Sequence, residues 1–312
     1  MNAPDSAVVV TGARGFLGAY LVRELAAQFP RVIAIDKRPA QPGPAERARV
    51  EHLTQALPCA EFEALLRSAK PGLLVHAAGP SSVPASLSDP AADFRDSPAL
   101  FFAVLDAVRR CAPECRVIFL SSAAVYGQPK RLPVREDAPP GPVSPYGFHK
   151  LLCERLADQF ARLYGLRVCS VRIFSAYGEG LRRQVIWDIC RMALEQPQVR
   201  LFGTGDETRD FIHGQDVARA IALLSRKAGW QADVYNLASG ADSSIRGLAQ
   251  SLLAALGCAK PVIFSGQGRP GDPLRWRADV RRLRELGFAP AITLEQGVAR
   301  YVKWIVSERG QG

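Results

Sequence analysis

The 312-residue sequence has few of the residues that build metal sites and disulfide frameworks. It contains only four histidines, and its seven cysteines are odd in number and form no Cys-x-x-Cys pair. We therefore expect no metal site, and reduced, mostly structural thiols in a cytoplasmic protein. No apolar run approaches the ~18 residues that a membrane-spanning helix requires. The short apolar run near the start follows no basic segment, so we interpret it as a strand and not as a signal peptide.

Lysine is also scarce, and this bears on the formal net charge of +10. Only 7 of the 40 basic residues are lysine and the other 33 are arginine, whose planar guanidinium suits phosphate groups. The basic residues are scattered, with no basic tail and no ladder of interleaved aromatic residues. The charge therefore fits a small phosphorylated ligand or an arginine-rich solvated surface as well as it fits a nucleic acid.

What the sequence does contain is an alternation of short β-branched segments with longer helical patterns. The apolar segments are continuous, as in a parallel sheet covered by helices on both faces, and they lie at 7–11, 32–36, 73–76, 116–121 and 168–174. Helical patterns lie at 16–28, 62–69, 96–111 and 146–164. This order predicts an α/β fold with a Rossmann-type doubly wound parallel sheet.

The first strand candidate leads into a glycine-rich turn, Thr-Gly-Ala-Arg-Gly-Phe-Leu-Gly, and then into an amphipathic helix. Gly12, Gly15 and Gly18 allow a tight turn and let a pyrophosphate approach the N–H groups of the helix N-terminus. Asp36 ends the second strand, where a carboxylate accepts hydrogen bonds from the adenosine ribose. An acidic residue there favours NAD over NADP, although Lys37 follows it and, with the next arginine, weakens this inference.

A second group, Ser122, Tyr146 and Lys150, predicts an acid–base site. Tyr146 and Lys150 are four residues apart, which places them on one face of a helix. A nearby ammonium and an oxidised nicotinamide both favour phenolate, so Tyr146 can take a proton from a sugar or alcohol hydroxyl as hydride leaves. Ser122 is expected to hydrogen-bond the same oxygen. A Tyr-x-x-x-Lys spacing alone is not specific for a catalytic site. It is informative here because it follows the predicted nucleotide-binding half of the chain.

Several segments, taken in order, resemble the extended short-chain dehydrogenase/reductases. They are TGARGFLG, Asp36, HAAG at 76–79, SSAAVYG at 121–127, SPYGFHK at 144–150 and RDFIHGQDVA at 209–218. The resemblance covers about residues 7–305 and is narrower to the NAD-dependent nucleotide-sugar epimerase/dehydratase group, typified by UDP-glucose 4-epimerase. It implies that 1–175, with 206–240 returning, binds NAD, and that 176–205 and 241–312 form a smaller C-terminal α/β domain for the nucleotide sugar.

The resemblance also implies roles for individual residues. Ser122, Tyr146 and Lys150 are the expected catalytic set. The expected NAD contacts are Gly12, Gly15, Phe16, Leu17, Gly18, Asp36, Lys37, Ala77, Ala78, Tyr146 and Lys150. The expected substrate contacts are Ser122, Ser175, Val185, Arg209, Arg269 and Asp272, with the two arginines on the diphosphate. A homodimer through helices near 96–111 and 146–164 is expected, and neither a nucleic acid nor a membrane is an expected partner.

The residues after Ser122 discriminate between reactions of the group. The 4,6-dehydratases resemble one another in an Asp-Glu pair there, and the related decarboxylases keep the Glu. This sequence has Ala123 and Ala124, which can neither give nor take a proton. The resemblance therefore implies 4-epimerisation of a UDP- or dTDP-linked hexose through a transient 4-keto sugar. The alternatives are a nucleotide-sugar 4-ketoreductase or dehydrogenase and, from another class, a non-catalytic NAD-binding regulatory protein.

Three positions depart from the family pattern. His52 stands where an Asp near the adenine is usual, and Ser97 and Ser175 stand where Asn is usual. The Asn replaced by Ser175 commonly meets the diphosphate or sugar. We therefore expect a substrate other than plain UDP-glucose, such as a deoxy or modified sugar of a surface polysaccharide pathway.

Overall fold

The computed structural model describes residues 6–39, 49–268, 271 and 273–309. Its strands are β1 (Val8–Thr11), β2 (Val32–Asp36), β3 (Val50–Thr54), β4 (Leu73–His76), β5 (Arg116–Ser122), β6 (Val168–Ile173), β7 (Ser175–Tyr177), β8 (Val199–Leu201), β9 (Thr208–His213), β10 (Gln231–Leu237), β11 (Asp242–Ser244) and β12 (Val262–Phe264).

The helices are α1 (Phe16–Gln28), α2 (Ala60–Ala69), α3 (Val83–Ser88), α4 (Pro90–Phe94), α5 (Leu100–Cys111), α6 (Pro145–Tyr164), α7 (Gln184–Glu195), α8 (Gly214–Lys227), α9 (Ile245–Ala255), α10 (Arg281–Glu285) and α11 (Leu294–Arg309). A π-helical turn, Arg95–Ala99, precedes α5, and a 3-10 turn, Ala123–Tyr126, follows β5. No helix in the described ranges is both long enough and apolar enough to span a membrane.

Seven strands form one sheet in the order β10-β6-β5-β4-β1-β2-β3. All neighbouring pairs are parallel. The chain runs from β1 through β2 to β3 at one edge, returns to β4, and continues to the other edge. The order therefore reverses between β1 and β4, and ligands of such sheets bind outside the carboxyl ends of the strands at this point. The predicted Rossmann-type doubly wound sheet is confirmed.

The central strands are apolar because both faces of the sheet are covered. Val8 and Val10 point to one face and pack with Leu21 of α1, whereas Val9 points to the other and packs with Phe62 of α2 and Phe101 of α5. All six side chains are no more than 1% exposed. Each such residue contributes about 1.5–3 kcal/mol to folding by its removal from water.

The C-terminal part contributes smaller sheets and a separate apolar cluster. β7 pairs with β9, β9 with β11, and β8 with β12. A cluster that includes Ile189 of α7, Leu252 of α9 and Tyr301 of α11 packs against these strands. Within the returning segment 206–240, β10 lies in the large sheet and β9 in the three-stranded one. The boundaries of the two domains remain a prediction.

Candidate active site

The glycine-rich turn lies where the strand order reverses. Gly12 has φ +68°, and a Cβ on it would lie 2.6 Å from the carbonyl oxygen of Ala77 and from the nitrogen of Ala78, just after β4. A Cβ on Gly18 would overlap the carbonyl oxygen of Gly12. Gly15 caps α1, so Phe16 and Leu17 form its first turn. The glycines therefore let the backbone of β1, of the segment after β4 and of the start of α1 approach closely, and a helix N-terminus after such a turn fits the pyrophosphate of a dinucleotide.

Asp36 stands at the end of β2, beside this turn. Its carboxylate accepts hydrogen bonds from the backbone nitrogens of Arg14 at 2.9 Å and Arg38 at 3.0 Å, and from Nε of Arg38 at 3.1 Å. Burial alone raises the pKa of Asp36, but the hydrogen bonds from both arginines outweigh burial and lower it. The carboxylate is therefore ionised at neutral pH and can accept hydrogen bonds from ribose hydroxyls. Lys37 follows it as an exposed residue.

The three residues of the predicted catalytic set come from β5 and α6. Ser122 ends β5, and its Oγ accepts a hydrogen bond from the backbone nitrogen of Ala124 at 3.1 Å. α6 begins after Ser144, whose Oγ accepts from the nitrogen of Gly147 at 3.2 Å, which is a favourable N-terminal cap. This cap places Tyr146 in the first turn of α6. Ser122 and Tyr146 are half-buried and accessible to a ligand.

Lys150 lies one turn after Tyr146 and is only 7% exposed. Its Nζ donates a hydrogen bond to the carbonyl oxygen of Leu120 at 2.9 Å and lies 5.8 Å from the centre of the Tyr146 ring. Burial, with a smaller contribution from the Lys150 charge, lowers the pKa of His76 to about 3. His76 is therefore neutral at pH 7.

Arg183 is a residue near the site that the sequence patterns did not single out. It precedes α7, and its guanidinium interacts electrostatically with the phenol of Tyr146. Burial lowers the pKa of Arg183, and the interaction with Tyr146 opposes this effect. The signal available in the sequence was the arginine pair before Val185. Its proximity to Tyr146 depends on the path of the chain after β7, which no local pattern specifies.

The predicted substrate residues are only partly within the described chain. Ser175 opens β7 opposite Phe211, and Val185 lies half-buried in the first turn of α7. Arg209, on β9, has its guanidinium carbon 5.8 Å from the centre of the Trp276 ring. Arg269 and Asp272 lie outside the described residues. Between them, a Cβ on Gly271 would lie 2.8 Å from Val83 of α3 and 3.8 Å from the N-terminal cap of α6.

The positions that depart from the family pattern have different surroundings. Nε2 of His52, on β3, is buried and has no hydrogen-bond partner among the described residues. Ser97 lies in the π-helical turn, with its Oγ 3.6 Å from the sulfur of Cys153.

In the part of the chain that the structure describes, no group of three or more His, Cys, Asp or Glu residues is arranged to hold a metal ion.

Comparison with known proteins gives consistent matches along the chain. The profile of the "NAD dependent epimerase/dehydratase family" matches residues 8–238. A UDP-glucose 4-epimerase of Azospirillum brasilense is 31% identical over 320 residues, which cover 96% of this chain and 91% of that protein.

Solved structures match over a similar extent. MoeE5 in complex with UDP-glucuronic acid and NAD has a TM-score of 0.88 at 30% identity and covers 97% of this chain and 100% of its own. UDP-N-acetylglucosamine 4-epimerase from Methanobrevibacter ruminantium M1, in complex with UDP-N-acetylmuramic acid, has a TM-score of 0.88 at 27% identity, with coverage of 97% and 99%.

The family profile covers most of the chain, and the match to the Azospirillum protein extends over nearly all of it. The glycine-rich turn at Gly12 and the ionised Asp36 fit the dinucleotide that the family uses. This chain therefore belongs to the NAD-dependent epimerase/dehydratase family and is an NAD-dependent enzyme of the extended short-chain dehydrogenase/reductase type.

Proposed function

We propose that the enzyme is a 4-epimerase of a UDP- or dTDP-linked hexose and acts through a transient 4-keto sugar. The observation that carries the proposal is the position of Ser122 at the end of β5, with Tyr146 and Lys150 on the first turns of α6, at the edge of the sheet where the glycine-rich turn also lies. The names of similar proteins support it, because they include epimerases of UDP-glucose and UDP-N-acetylglucosamine.

The chain's own residues would move the proton. Tyr146, one turn before buried Lys150 on the same face of α6, would accept the proton of the C4 hydroxyl. Ser122 would donate a hydrogen bond to the same oxygen and keep it aligned. Bound NAD would supply the acceptor and donor for the C4 hydride, and the 4-keto sugar would turn its other face towards the cofactor before the hydride returns. The proton returns from Tyr146 to the oxygen in the second half of the reaction.

Two alanines support epimerisation over elimination. Ala123 and Ala124 are 0% and 8% exposed and carry no acid or base. The carbonyl oxygen of Ala124 lies 2.6 Å from where a Cβ on Gly147 would stand, so the 3-10 turn packs closely on α6. The 4,6-dehydratases that the chain resembles carry an Asp-Glu pair at these positions for loss of water from C5 and C6, so elimination by that route is disfavoured here.

Incubation with a panel of UDP- and dTDP-sugars, followed by NMR of the products, tests the proposal. We expect inversion at C4 of at least one sugar, with no net change of nicotinamide absorbance. The panel includes hexoses, uronic acids, N-acetylated sugars and deoxy sugars, because Ser175 supports a modified sugar, such as one used in surface polysaccharides. Steady net oxidation or reduction of nicotinamide would instead establish a ketoreductase or dehydrogenase.

We also propose a homodimer formed by the outer faces of α5 and α6. Several large apolar side chains are exposed there, at 46% for Phe102, 54% for Phe148, 44% for Leu152 and 50% for Tyr164. Phe148 and Leu152 are four residues apart and therefore lie on one face of α6. A second copy of the chain would cover this surface.

The predicted cytoplasmic location is retained as part of the proposal. All seven cysteines are free thiols in the structure. Burial raises the pKa of Cys115 to about 12, so this thiol is unreactive at neutral pH. Free, unreactive thiols of this kind fit a reducing compartment.

A further inference from the structure

We propose that the buried ion pair between Glu154 and Arg172 is a positioning device that holds Tyr146 and Lys150 of α6 in register with Ser122 of β5. Neither charged residue reaches the site itself, so both would act through the residues that do. The proposal rests on the proposed function, because it assumes that these three residues carry the reaction.

Two consecutive residues of β5, just before Ser122, are attached to α6 by hydrogen bonds. The carbonyl oxygen of Leu120 accepts the hydrogen bond from Lys150, and Ser121 Oγ donates one of 2.6 Å to Oε1 of Glu154. Ser122 follows at the proposed site. Lys150 and Glu154 are one helical turn apart on the same face of α6. Two attachments along one face prevent the helix both from sliding along the strand and from pivoting about a single contact.

Arg172 fixes the carboxylate of Glu154 in place. It lies on β6 directly opposite Ser121 and donates from Nε to Oε1 at 3.0 Å and from Nη2 to Oε2 at 2.7 Å. The two side chains are only 5% and 6% exposed. Bidentate pairs of this kind define an angle as well as a distance. The orientation of Glu154, and through it of α6, is therefore set by the sheet.

The same arginine also attaches the segment that leads into α6. Its Nη1 donates to the carbonyl oxygen of Glu136 at 3.0 Å, and its guanidinium carbon lies 4.6 Å from the centre of the Tyr126 ring. Residues 127–144 have little regular structure and end at the cap of α6. Arg172 thus holds both α6 and the segment that precedes it.

Stability alone does not account for this arrangement. Burial of two charges costs desolvation energy, and replacement of such a pair by apolar residues is often neutral or stabilising. Among ion pairs between described residues, no other joins an arginine and a carboxylate whose side chains are both under 10% exposed. Apolar contacts would not fix the orientation of α6, whereas this bidentate pair fixes it next to Ser122.

Three variants, compared on a sugar that the wild type converts, separate positioning from stability. Glu154→Gln leaves Arg172 unpaired and is expected to lower Tm by roughly 5–10 °C. The double variant Glu154→Leu/Arg172→Met removes both charges and is expected to regain most of that Tm. Its kcat should nevertheless stay about 10–100-fold below that of the wild type, with KM changed by less than about threefold. The reason is that α6 is no longer held in its orientation relative to the sheet. Recovery of kcat together with Tm overturns the proposal.

Ser121→Ala is the second, milder variant. It removes one hydroxyl, leaves the ion pair intact, and should lower kcat by about 3–10-fold at nearly unchanged Tm. If the double variant does not fold, an unchanged kcat in Ser121→Ala overturns the proposal. Glu63→Gln serves as the control, because Glu63 pairs with Arg110 on the surface at 2.6 Å. It should alter neither kcat nor KM.

A structural readout separates failure of this proposal from failure of the proposed function. Crystal structures of the wild type and the double variant give the distance between Ser122 Oγ and Tyr146 Oη. We expect this distance to increase by about 1 Å in the variant, the scale of displacement that impairs catalysis. An unchanged distance overturns the positioning role. Absence of turnover by the wild type on every sugar would contradict only the proposed function.

Discussion

At the scale of single residues, the site depends on backbone that side chains must leave free. Gly12 and Gly165 have nearly the same φ, +68° and +69°, but different surroundings. A Cβ on Gly12 would collide with the backbone of Ala77 and Ala78, whereas a Cβ on Gly165 would meet nothing within 4 Å. Comparison of alanine substitutions at the two positions therefore separates the conformational cost of a side chain from its steric effect at the glycine-rich turn.

Gly12→Ala is expected to weaken NAD binding at least about tenfold, because the turn must move away from Ala77 to admit the methyl group. Gly165→Ala carries a similar backbone cost of about 1–2 kcal/mol and should leave NAD affinity unchanged. Titration calorimetry with NAD, together with chemical denaturation, measures both effects. Equal loss of affinity in the two variants would contradict a specific role for Gly12.

Tyr146→Phe removes the phenolic hydroxyl and keeps the aromatic ring. We expect kcat to fall by about 10²–10⁴-fold, the usual contribution of a general acid–base group, with NAD affinity little changed. Tyr164→Phe is the matched control, since Tyr164 ends α6 at 50% exposure and far along the helix from the site. Initial rates on the converted sugar test the pair. Unchanged turnover in Tyr146→Phe would remove the catalytic assignment.

At the scale of elements, the sequence patterns predicted the strands that are buried on both faces of the sheet and missed those that are not. Five strands, β1, β2, β4, β5 and β6, are continuous apolar runs, and this composition identified them. β3 reads Val-Glu-His-Leu-Thr and has only one fully buried residue, because it lies at the sheet edge. An edge strand with polar residues does not differ from a loop in composition.

The π-helical turn illustrates a second limit of local patterns. The sequence predicted one helix over 96–111, but the structure has a π-helical turn around Pro98 before α5 begins at Leu100. Likewise, nothing in the sequence indicated that Glu154 would pair with Arg172, since the pair joins α6 to β6. The candidate site was predictable where one motif carries it, as at Tyr146 and Lys150, and not where distant elements meet.

Glu179 connects three elements and gives the fold a specific dependence on acid. Its Oε2 accepts hydrogen bonds from Tyr20 of α1 at 2.8 Å and lies 2.9 Å from Nε2 of His213 at the end of β9. The hydrogen bond with His213, despite opposing burial, lowers the pKa of Glu179 from 4.5 to about 2. The carboxylate is therefore more acidic in the folded chain than in the unfolded one.

Because the folded-state pKa is depressed, the ionised Glu179 stabilises the fold above about pH 4.5, and this contribution is lost as the pH falls towards 2. Glu179→Gln should flatten the dependence of the unfolding free energy on pH between about 5 and 3. Urea denaturation at a series of pH values measures the slope. Glu195→Gln, a change in an exposed pair with Arg191, is the control and should leave the slope unchanged.

At the scale of the whole molecule, the exposed apolar side chains on α5 and α6 determine the expected assembly. The double variant Phe148→Glu/Leu152→Glu should convert a dimer into a monomer, because four introduced carboxylates would face one another in the pair. Sedimentation equilibrium measures the mass. Val306→Glu places a similar charge on α11, at a side chain that is 50% exposed, and should leave the dimer intact. A wild type that sediments as a monomer would contradict the proposed assembly.

The net charge of +10 also belongs to this scale. Arginines on α5, α6 and α10 pair with carboxylates nearby and contribute nothing to it, so it arises from the basic residues in excess of the carboxylates. The remaining positive potential suits two anionic ligands, a dinucleotide and a sugar nucleotide.

The strand order has a consequence for the growing chain during synthesis. β10 pairs with β6 at one edge of the sheet, although residues 231–237 leave the ribosome long after β1 to β6. Until it arrives, β6 presents an unpaired edge, and every one of its six residues is buried in the finished fold. Apolar strands with open edges tend to associate with other chains. The nascent protein is therefore most vulnerable to aggregation between the completion of β6 and the addition of β10, and chaperones would act in that interval.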